Sequence, residues 1–250
     1  QMFFDFSATA IHDQRSFLTG RIGERLFGPG IRIADDAYHP LQWGPAGADF
    51  AAALRAAKFA YAVPNYSNPT GALVPTAARQ ALLDQVLAAG TWLVEDDPYL
   101  PLQFDGETGP SILALHGAMQ PGGPYRGPVV YLGTLSKSIV PGMRVGWAVA
   151  DSAMIAMLTL AKQSSDISSS MLTQAIALEL LESGIGATHV PTILRHYRER
   201  RDALSASATR HLAPWFEWET PPGGMFVWMR SRDGAIDTDA LYQTALEENV

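Results

Sequence analysis

The chain has 250 residues, with 18 lysine and arginine residues against 25 aspartate and glutamate residues, a net charge of −7 and an isoelectric point near 5.3. It has no basic block and no apolar run of about 18 residues, so nucleic acid and membrane are not expected as partners. It has no cysteine, and its six histidines are scattered, which argues against disulfides and a metal site. We expect a cytoplasmic, globular protein.

Apolar runs and amphipathic segments alternate along most of the chain. The expected strands are 59–66, 91–99, 128–135 and 145–150, and the expected helices are 48–57, 75–90, 169–184 and 193–212. Pro75 suits the first turn of its helix, and Gly90 suits the end of the same helix. This alternation is typical of an α/β domain with a mostly parallel sheet.

The pattern changes near Pro214. Residues 215–230 read as two strands joined by a Pro-Gly turn, and a helix follows to the end of the chain. We therefore expect a large domain over 1–205 and the start of a second, smaller domain over 206–250. The expected core of the small domain contains three tryptophans, Trp215, Trp218 and Trp228.

Polar side chains follow three of the expected strands. Ligands in open α/β sheets bind beyond the carboxyl ends of the strands, so these side chains are candidates for a site. The candidates are Asn68 after the first strand, Asp96, Asp97 and Tyr99 after the second, and Thr134, Ser136 and Lys137 after the third. Each group alone also fits a simple turn or a solvated loop, whereas their order and placement favour a site.

Lys137 is one of only three lysines in the chain, and small or hydroxylated residues surround it. That setting suits an amine nucleophile, which must be held in place and kept partly deprotonated. If its partner is the aldehyde of pyridoxal phosphate, the other groups have roles as well. A carboxylate keeps the pyridine nitrogen protonated, an amide and a phenol contact the phenolic oxygen, and hydroxyls with the nearby Arg144 bind the phosphate.

Five stretches of the sequence together resemble a known family. They are VPNYSNPTG (63–71), VEDDPYLPLQF (94–104), GTLSKSIVPGMRVGW (133–147), HVPTILRHYRERRDAL (189–204) and PPGGMFVWM (221–229). In this order they resemble the fold-type-I pyridoxal-phosphate aminotransferases of class I/II, in the branch of the 2-aminoadipate and kynurenine aminotransferases. The resemblance implies a large domain with a seven-stranded-type, mostly parallel sheet and helices on both faces, plus a partial α+β small domain.

The resemblance also implies a role for each candidate. Lys137 forms the Schiff base with pyridoxal 5′-phosphate, Asp96 pairs with the pyridine nitrogen, and Asn68 and Tyr99 contact the phenolic oxygen. Phosphate-binding positions fall on Thr134, Ser136 and Arg144, and the catalytic group is Lys137, Asp96 and Tyr99.

Two positions of these motifs leave a choice. In the family the nitrogen-binding aspartate stands three residues before the tyrosine, which selects Asp96 rather than its neighbour Asp97. Asp97 is then interpreted as a loop acid that caps the turn at Pro98. Tyr66 either packs in the core or lines the substrate pocket.

By resemblance, the protein moves an amino group between an α-amino acid and a 2-oxo acid, and it forms a homodimer. Two alternatives remain open. The first is a cofactor-binding effector domain of a GntR/MocR-type transcriptional regulator, although that class usually carries a histidine variant of NPTG and lacks DDPY. The second is a lyase or decarboxylase on the same fold.

The beginning and the end of the chain depart from the family pattern. FLTG (17–20) runs directly into RIGERLFGPG (21–30), without the loop that normally holds the phosphate and the aromatic residue that stacks on the ring. The family's final segment, with its substrate-binding arginine, does not follow Val250. We therefore expect residues 1–30 to be discontinuous with the rest and the small domain to be truncated.

Overall fold

Strands and helices alternate along the chain, as expected for an α/β domain. The structure, a computed structural model, describes residues 2–4, 48–120, 122–234 and 236–248. Its strands are β1 (Met2–Phe4), β2 (Phe59–Ala62), β3 (Trp92–Asp96), β4 (Val129–Thr134), β5 (Gly146–Val149), β6 (Phe216–Trp218) and β7 (Met229–Ser231). Its helices are α1 (Ala48–Ala56), α2 (Thr76–Ala89), α3 (Ile112–Ala118), α4 (Ser152–Ser165), α5 (Met171–Glu182), α6 (Ile185–His211) and α7 (Thr238–Glu247), and a 3₁₀ turn covers Pro141–Met143.

The main sheet has the strand order β1-β5-β4-β3-β2. The three strands β2, β3 and β4 are parallel neighbours, β5 runs antiparallel to β4, and β1 runs antiparallel to β5. The expected α/β class is confirmed. Within the described residues this sheet has five strands, compared with the seven-stranded type that the resemblance implies.

A hydrophobic cluster fixes α2 against the sheet. Leu83 and Val86 of α2 are fully buried and pack with Leu93 of β3 and Val129 of β4. Each such side chain contributes about 1.5–3 kcal/mol when it leaves water. The helix ends as the sequence predicts, because Gly90 adopts a left-handed conformation with a φ of 67° that closes the last turn.

Helix α6 is longer than the predicted helix 193–212. It begins at Ile185 and continues through Pro191. Its Arg201 joins α6 to two other segments of the chain, one near Asp105 and one near Pro221. The Arg201 guanidinium pairs with Asp105 at 2.5 Å, donates to the Pro221 carbonyl at 2.8 Å and lies over the Phe104 ring. This helix crosses residue 206 without a break, and the domain boundary at 206 stays a prediction.

The segment 219–228 does not form a simple hairpin turn. Its prolines and glycines pack against the segment that follows β3. The Pro222 carbonyl accepts hydrogen bonds from the backbone N–H groups of Phe104 and Asp105, both at 2.9 Å. Gly223 and Gly224 lie directly against Tyr66, which is fully buried. Tyr66 therefore packs in the core, and burial raises its pKa to about 12.

We expect Gly223→Ala to lower the free energy of unfolding by about 1–3 kcal/mol, because the new methyl group overpacks the core. An alanine Cβ at this position would lie 2.5 Å from the Leu102 carbonyl oxygen and against the Tyr66 ring. Gly234→Ala is the matched control, since no atom lies within 4 Å of its Cβ position. Urea unfolding of both variants tests this, and equal midpoints would contradict the packing described.

Strands β6 and β7 form a two-stranded antiparallel ribbon after α6. The prediction that the tryptophans form a small-domain core is wrong for two of them. Trp215 is 55% exposed and Trp228 is 47% exposed. A two-stranded ribbon is too small to enclose large side chains on both of its faces.

The predicted discontinuity within residues 1–30 lies outside the described residues, apart from β1. Three elements were not predicted from the sequence: β1, α3 and α4.

Candidate functional site

The candidate site lies at the edge of the sheet where the parallel strands β2, β3 and β4 end. Because these strands are neighbours, the residues that follow them come together at this edge. The residues placed there are Asn68 after β2, Asp96 and Tyr99 at the end of β3, and Thr134, Ser136 and Lys137 at the end of β4. Arg144 reaches the same edge, since β5 starts with Gly146 opposite Thr134.

The neighbouring acids Asp96 and Asp97 point to opposite faces of the sheet. Successive strand residues alternate between the two faces. Tyr61 of β2 lies beside Val94 of β3, so Tyr61 and Asp96 share one face. Asp97 comes two residues after Glu95 and therefore lies with it on the other face, where the Glu95 side chain is fully buried. The two acids therefore have different surroundings.

Asp97 is a buried structural acid. Its carboxylate accepts a hydrogen bond from Asn65 Nδ2 at 2.9 Å and another from the Tyr131 hydroxyl at 3.2 Å. Burial raises the pKa of Asp97, and these hydrogen bonds lower it. Unlike the expected loop acid, Asp97 is only 3% exposed.

Arg79 of α2 supports Asp97 indirectly, by holding Asn65, which donates to the Asp97 carboxylate. Its side chain is fully buried, and Nη2 donates to Asn65 Oδ1 at 2.7 Å. Nε and Nη1 donate to the carbonyl oxygens of Val74 at 2.9 Å and Pro110 at 3.1 Å. No sequence signal marked Arg79, because arginines on amphipathic helices are normally exposed.

Glu95 of β3 fixes the start of α3. Its two carboxylate oxygens accept hydrogen bonds from the backbone N–H groups of Ile112 at 2.8 Å and Leu113 at 2.9 Å. The Ser111 side chain caps the same helix by accepting from the Ala114 N–H at 3.0 Å. Burial raises the pKa of Glu95, whereas the two backbone hydrogen bonds lower it. Near the carboxyl ends of the strands, the face of the sheet opposite Asp96 thus carries buried, hydrogen-bonded polar groups.

On the site face, the Tyr61 hydroxyl donates a hydrogen bond to Asp96 Oδ2. Burial raises the pKa of the Asp96 carboxyl, the hydrogen bond from Tyr61 lowers it, and the negative charge of Asp97 raises it further. Asp96 thus presents a carboxylate at the strand end, with one of its two oxygens engaged by Tyr61.

Asn68 and Tyr99 form a pair across the ends of β2 and β3. Burial raises the pKa of Tyr99, and its interaction with the Asn68 side chain lowers it. The Tyr99 ring is held edge-on by Phe226, with ring centroids 5.6 Å apart. The peptide bond between Asn68 and Pro69 is cis.

Lys137 lies in a short turn after β4. Thr134 Oγ1 lies 3.0 Å from Ser136 Oγ and 3.1 Å from the Val145 carbonyl oxygen, and the Ser136 N–H donates to it at 3.1 Å. The Leu135 carbonyl accepts from the backbone N–H of Ile139 and closes the turn around Lys137. Among the described residues, the Lys137 amine has no hydrogen-bond or ion-pair partner.

Arg144 joins the 3₁₀ turn to β5. It has a φ of 55°, in the left-handed region that residues other than glycine seldom adopt. Its guanidinium donates to the Pro141 carbonyl at 3.2 Å. The conformation turns the chain back into the sheet and keeps Arg144 at the edge where β4 ends.

The donor set at this edge fits a particular kind of ligand. The Lys137 amine suits a carbonyl carbon, and the Asp96 carboxylate suits a protonated ring nitrogen. The Asn68 and Tyr99 pair can contact a ring oxygen, and hydroxyl groups with a guanidinium can bind a phosphate. In the part of the chain that the structure describes, no cluster of side chains could hold a metal ion, and no helix is long and apolar enough to cross a membrane.

Comparison with known proteins gives a consistent result. The family model "Aminotransferase class I and II" matches residues 37–250. A 2-aminoadipate transaminase of Thermus thermophilus is 39% identical over 193 residues, which are 77% of this chain and 47% of that protein. An uncharacterized HTH-type transcriptional regulator of Bacillus subtilis is 31% identical over 190 residues, 76% of this chain and 38% of that protein.

A solved structure matches as well. The alpha-aminoadipate aminotransferase from Thermus thermophilus, in complex with N-(5′-phosphopyridoxyl)-L-leucine, is 38% identical to this chain with a TM-score of 0.70. The match covers 77% of this chain and 48% of that chain. The chain thus spans about half the length of the aminotransferases it matches.

Proposed function

Since the chain belongs to the class I and II aminotransferase family, we propose that the protein is a pyridoxal-phosphate-dependent aminotransferase acting on an α-amino acid and a 2-oxo acid. The observation that carries the proposal is the grouping of Lys137, Asp96 and the Asn68–Tyr99 pair at the ends of three neighbouring parallel strands. The donor set matches the functional groups of pyridoxal phosphate one by one.

When bound, pyridoxal phosphate supplies an aldehyde that takes up the amino group and a ring that accepts electrons from the substrate's α-carbon. The chain's own residues would hold it in four ways. Lys137 attaches to the aldehyde carbon, Asp96 faces the ring nitrogen, and Asn68 with Tyr99 contacts the phenolic oxygen. The phosphate is bound by Thr134, Ser136 and Arg144.

Two residues would do most of the chemical work. The amine of Lys137 would act as the acid–base group that takes the proton from the substrate's α-carbon. Asp96 would place its negative charge opposite the ring nitrogen and so favour the protonated form of the ring. Asp97, on the other face of the sheet, supports the strand end instead.

The name of the relative suggests which substrates to test first. We propose 2-aminoadipate as the first amino donor, because the 2-aminoadipate transaminase of Thermus thermophilus is 39% identical. Leucine is the second, because it forms part of the ligand in the similar solved structure. Full-length protein with pyridoxal phosphate should convert each donor to its 2-oxo acid when 2-oxoglutarate is supplied, as chromatography of the products would show.

A second candidate function is that of a cofactor-binding effector domain, because the chain is also similar to an HTH-type transcriptional regulator. Such a domain would bind pyridoxal phosphate but would not accumulate 2-oxo acid over many turnovers. A lyase or decarboxylase would release carbon dioxide or a side-chain fragment from the amino acid. The product analysis above separates the three activities in a single experiment.

We expect pyridoxal phosphate to raise the melting temperature of the full-length protein. A ligand at 100 times its dissociation constant stabilises the folded state by about 2.7 kcal/mol. In a domain of this size that corresponds to about 5–10 °C. Differential scanning fluorimetry measures the shift, with pyridoxine as a control that lacks both the aldehyde and the phosphate. A cofactor that leaves the melting temperature unchanged would contradict the proposed site.

The homodimer, which rests on resemblance to the family, and the cytoplasmic location, which rests on the sequence, remain proposals. Light scattering coupled to size-exclusion chromatography would measure the mass of the particle in solution, and a particle with the mass of one chain would contradict the homodimer.

A further inference from the structure

Tyr61 stands beside the acid that the proposed function assigns to the ring nitrogen. It lies on β2, next to Val94 of β3, and therefore on the same face of the sheet as Asp96. Its hydroxyl donates a hydrogen bond to Asp96 Oδ2. The ring of Tyr61 is 37% exposed, whereas Ala60 and Ala62 on either side are buried. The side chain thus stands at the open side of β2, where the site lies.

The surroundings of Asp96 give this single contact unusual weight. Asp97 has two side-chain donors, Asn65 and Tyr131. For Asp96, by contrast, Tyr61 is the only hydrogen-bond donor found among residues 48–120, 122–234 and 236–248. One oxygen of the Asp96 carboxylate is therefore engaged by Tyr61, and the second is left to face a ligand.

We propose that Tyr61 is a positioning residue for the cofactor: it holds one oxygen of Asp96 so that the other faces the ring nitrogen, and it keeps the carboxylate ionised. This inference rests on the proposed function. Two physical effects support it. A hydrogen bond to one oxygen restricts rotation of the carboxylate, and a donor to an ionised acid favours its charged form.

The charged form of Asp96 needs such help. Besides Tyr61, three titratable groups in the described part of the chain interact electrostatically with Asp96, namely Asp97, Tyr99 and Tyr131. Asp97 is an acid, so its negative charge disfavours ionisation of Asp96. Burial of Asp96 acts in the same direction. Without the Tyr61 hydroxyl, the carboxylate would take up a proton more readily and could no longer balance a positively charged ring.

Tyr61→Phe tests the proposal, because it removes only the hydroxyl from a partly exposed ring. We expect the dissociation constant for pyridoxal phosphate to rise on the order of tenfold. We also expect the acidic transition in the absorption spectrum of the bound cofactor to move to higher pH, since loss of the donor favours protonation of Asp96. The melting temperature without cofactor should stay near that of the wild type.

Tyr131→Phe is the matched control, since it removes the hydroxyl that donates to Asp97, the neighbouring acid on the opposite face. It should lower the melting temperature and move the pH of the spectral transition much less than Tyr61→Phe does, because Tyr131 donates to Asp97 and not to Asp96. A Tyr61→Phe variant with the wild-type dissociation constant and spectral pH profile overturns the role of Tyr61 alone. A wild-type protein that binds no pyridoxal phosphate overturns the proposed function and this role together.

Discussion

Replacing Lys137 by alanine is expected to lower the rate of amino transfer by about 10²–10⁴-fold, the usual contribution of a positioned acid–base group. The residue lies in a turn after β4, and its amine has no partner among the described residues. Its removal therefore leaves no buried group unsatisfied, and the melting temperature should change little. Single-turnover kinetics with a bound amino acid and thermal denaturation measure the two effects separately.

Lys162→Ala is the matched control for this experiment. Lys162 lies on α4 and pairs with Asp166 at 2.8 Å, away from the ends of the parallel strands. This variant should keep the wild-type rate. Reduction of the wild type with borohydride in the presence of pyridoxal phosphate should fix the cofactor to Lys137, as peptide mapping would show. A label recovered on Lys58 or Lys162 would rule out the assignment.

Asp96→Asn should reduce amino transfer by about 10²–10³-fold, on the scale of losing one preorganised electrostatic contact. The amide carries no negative charge, so the ring nitrogen would lose the group that keeps it protonated. The substitution preserves the shape of the side chain and can still bond to Tyr61. We therefore expect near-normal unfolding by urea and a large loss in turnover per folded molecule.

Asp97→Asn should give the opposite result. Asp97 accepts hydrogen bonds from Asn65 and Tyr131, one on each carboxylate oxygen, and an amide nitrogen cannot accept one. Leaving a buried donor unsatisfied costs about 1–3 kcal/mol of stability. Turnover per folded molecule should fall much less than in Asp96→Asn. Equal losses of turnover in both variants would show that the two acids do not have separate roles.

The position of the site could be predicted from the sequence to a large extent. The candidate polar residues each follow an apolar run, and parallel neighbours bring the ends of such runs together. The choice of Asp96 over Asp97 rests on its spacing to Tyr99. The alternation of side chains along β3 adds an independent reason, because it separates the two acids onto different faces.

The support of the site could not be predicted in the same way. Arg79 and Glu95 look like ordinary exposed charges in the sequence, since their burial depends on tertiary contacts with Asn65 and with the start of α3. The short helix α3 begins where Glu95 meets its first N–H groups, a contact between residues far apart in the chain. Tyr61 likewise looks, in the sequence, like an ordinary member of an apolar strand.

The segment 219–228 shows a second limit of prediction from local sequence patterns. PPGG at 221–224 is a strong turn signal, and it does separate β6 from β7. The sequence alone does not reveal that these residues also pack on Tyr66 and pair with the backbone near Phe104. The local sequence predicts the bend, whereas its contacts with Tyr66 and the backbone near Phe104 depend on the tertiary fold.

The opposite orientations of Asp96 and Asp97 also limit how the length of this protein can vary. Inserting or deleting one residue within β3 would shift every later side chain to the other face. Asp96 would then turn toward Arg79, and Asp97 would turn toward Tyr61. Evolutionary insertions and deletions should therefore be confined to the surface loops that flank the strand, where an extra residue leaves this alternation intact.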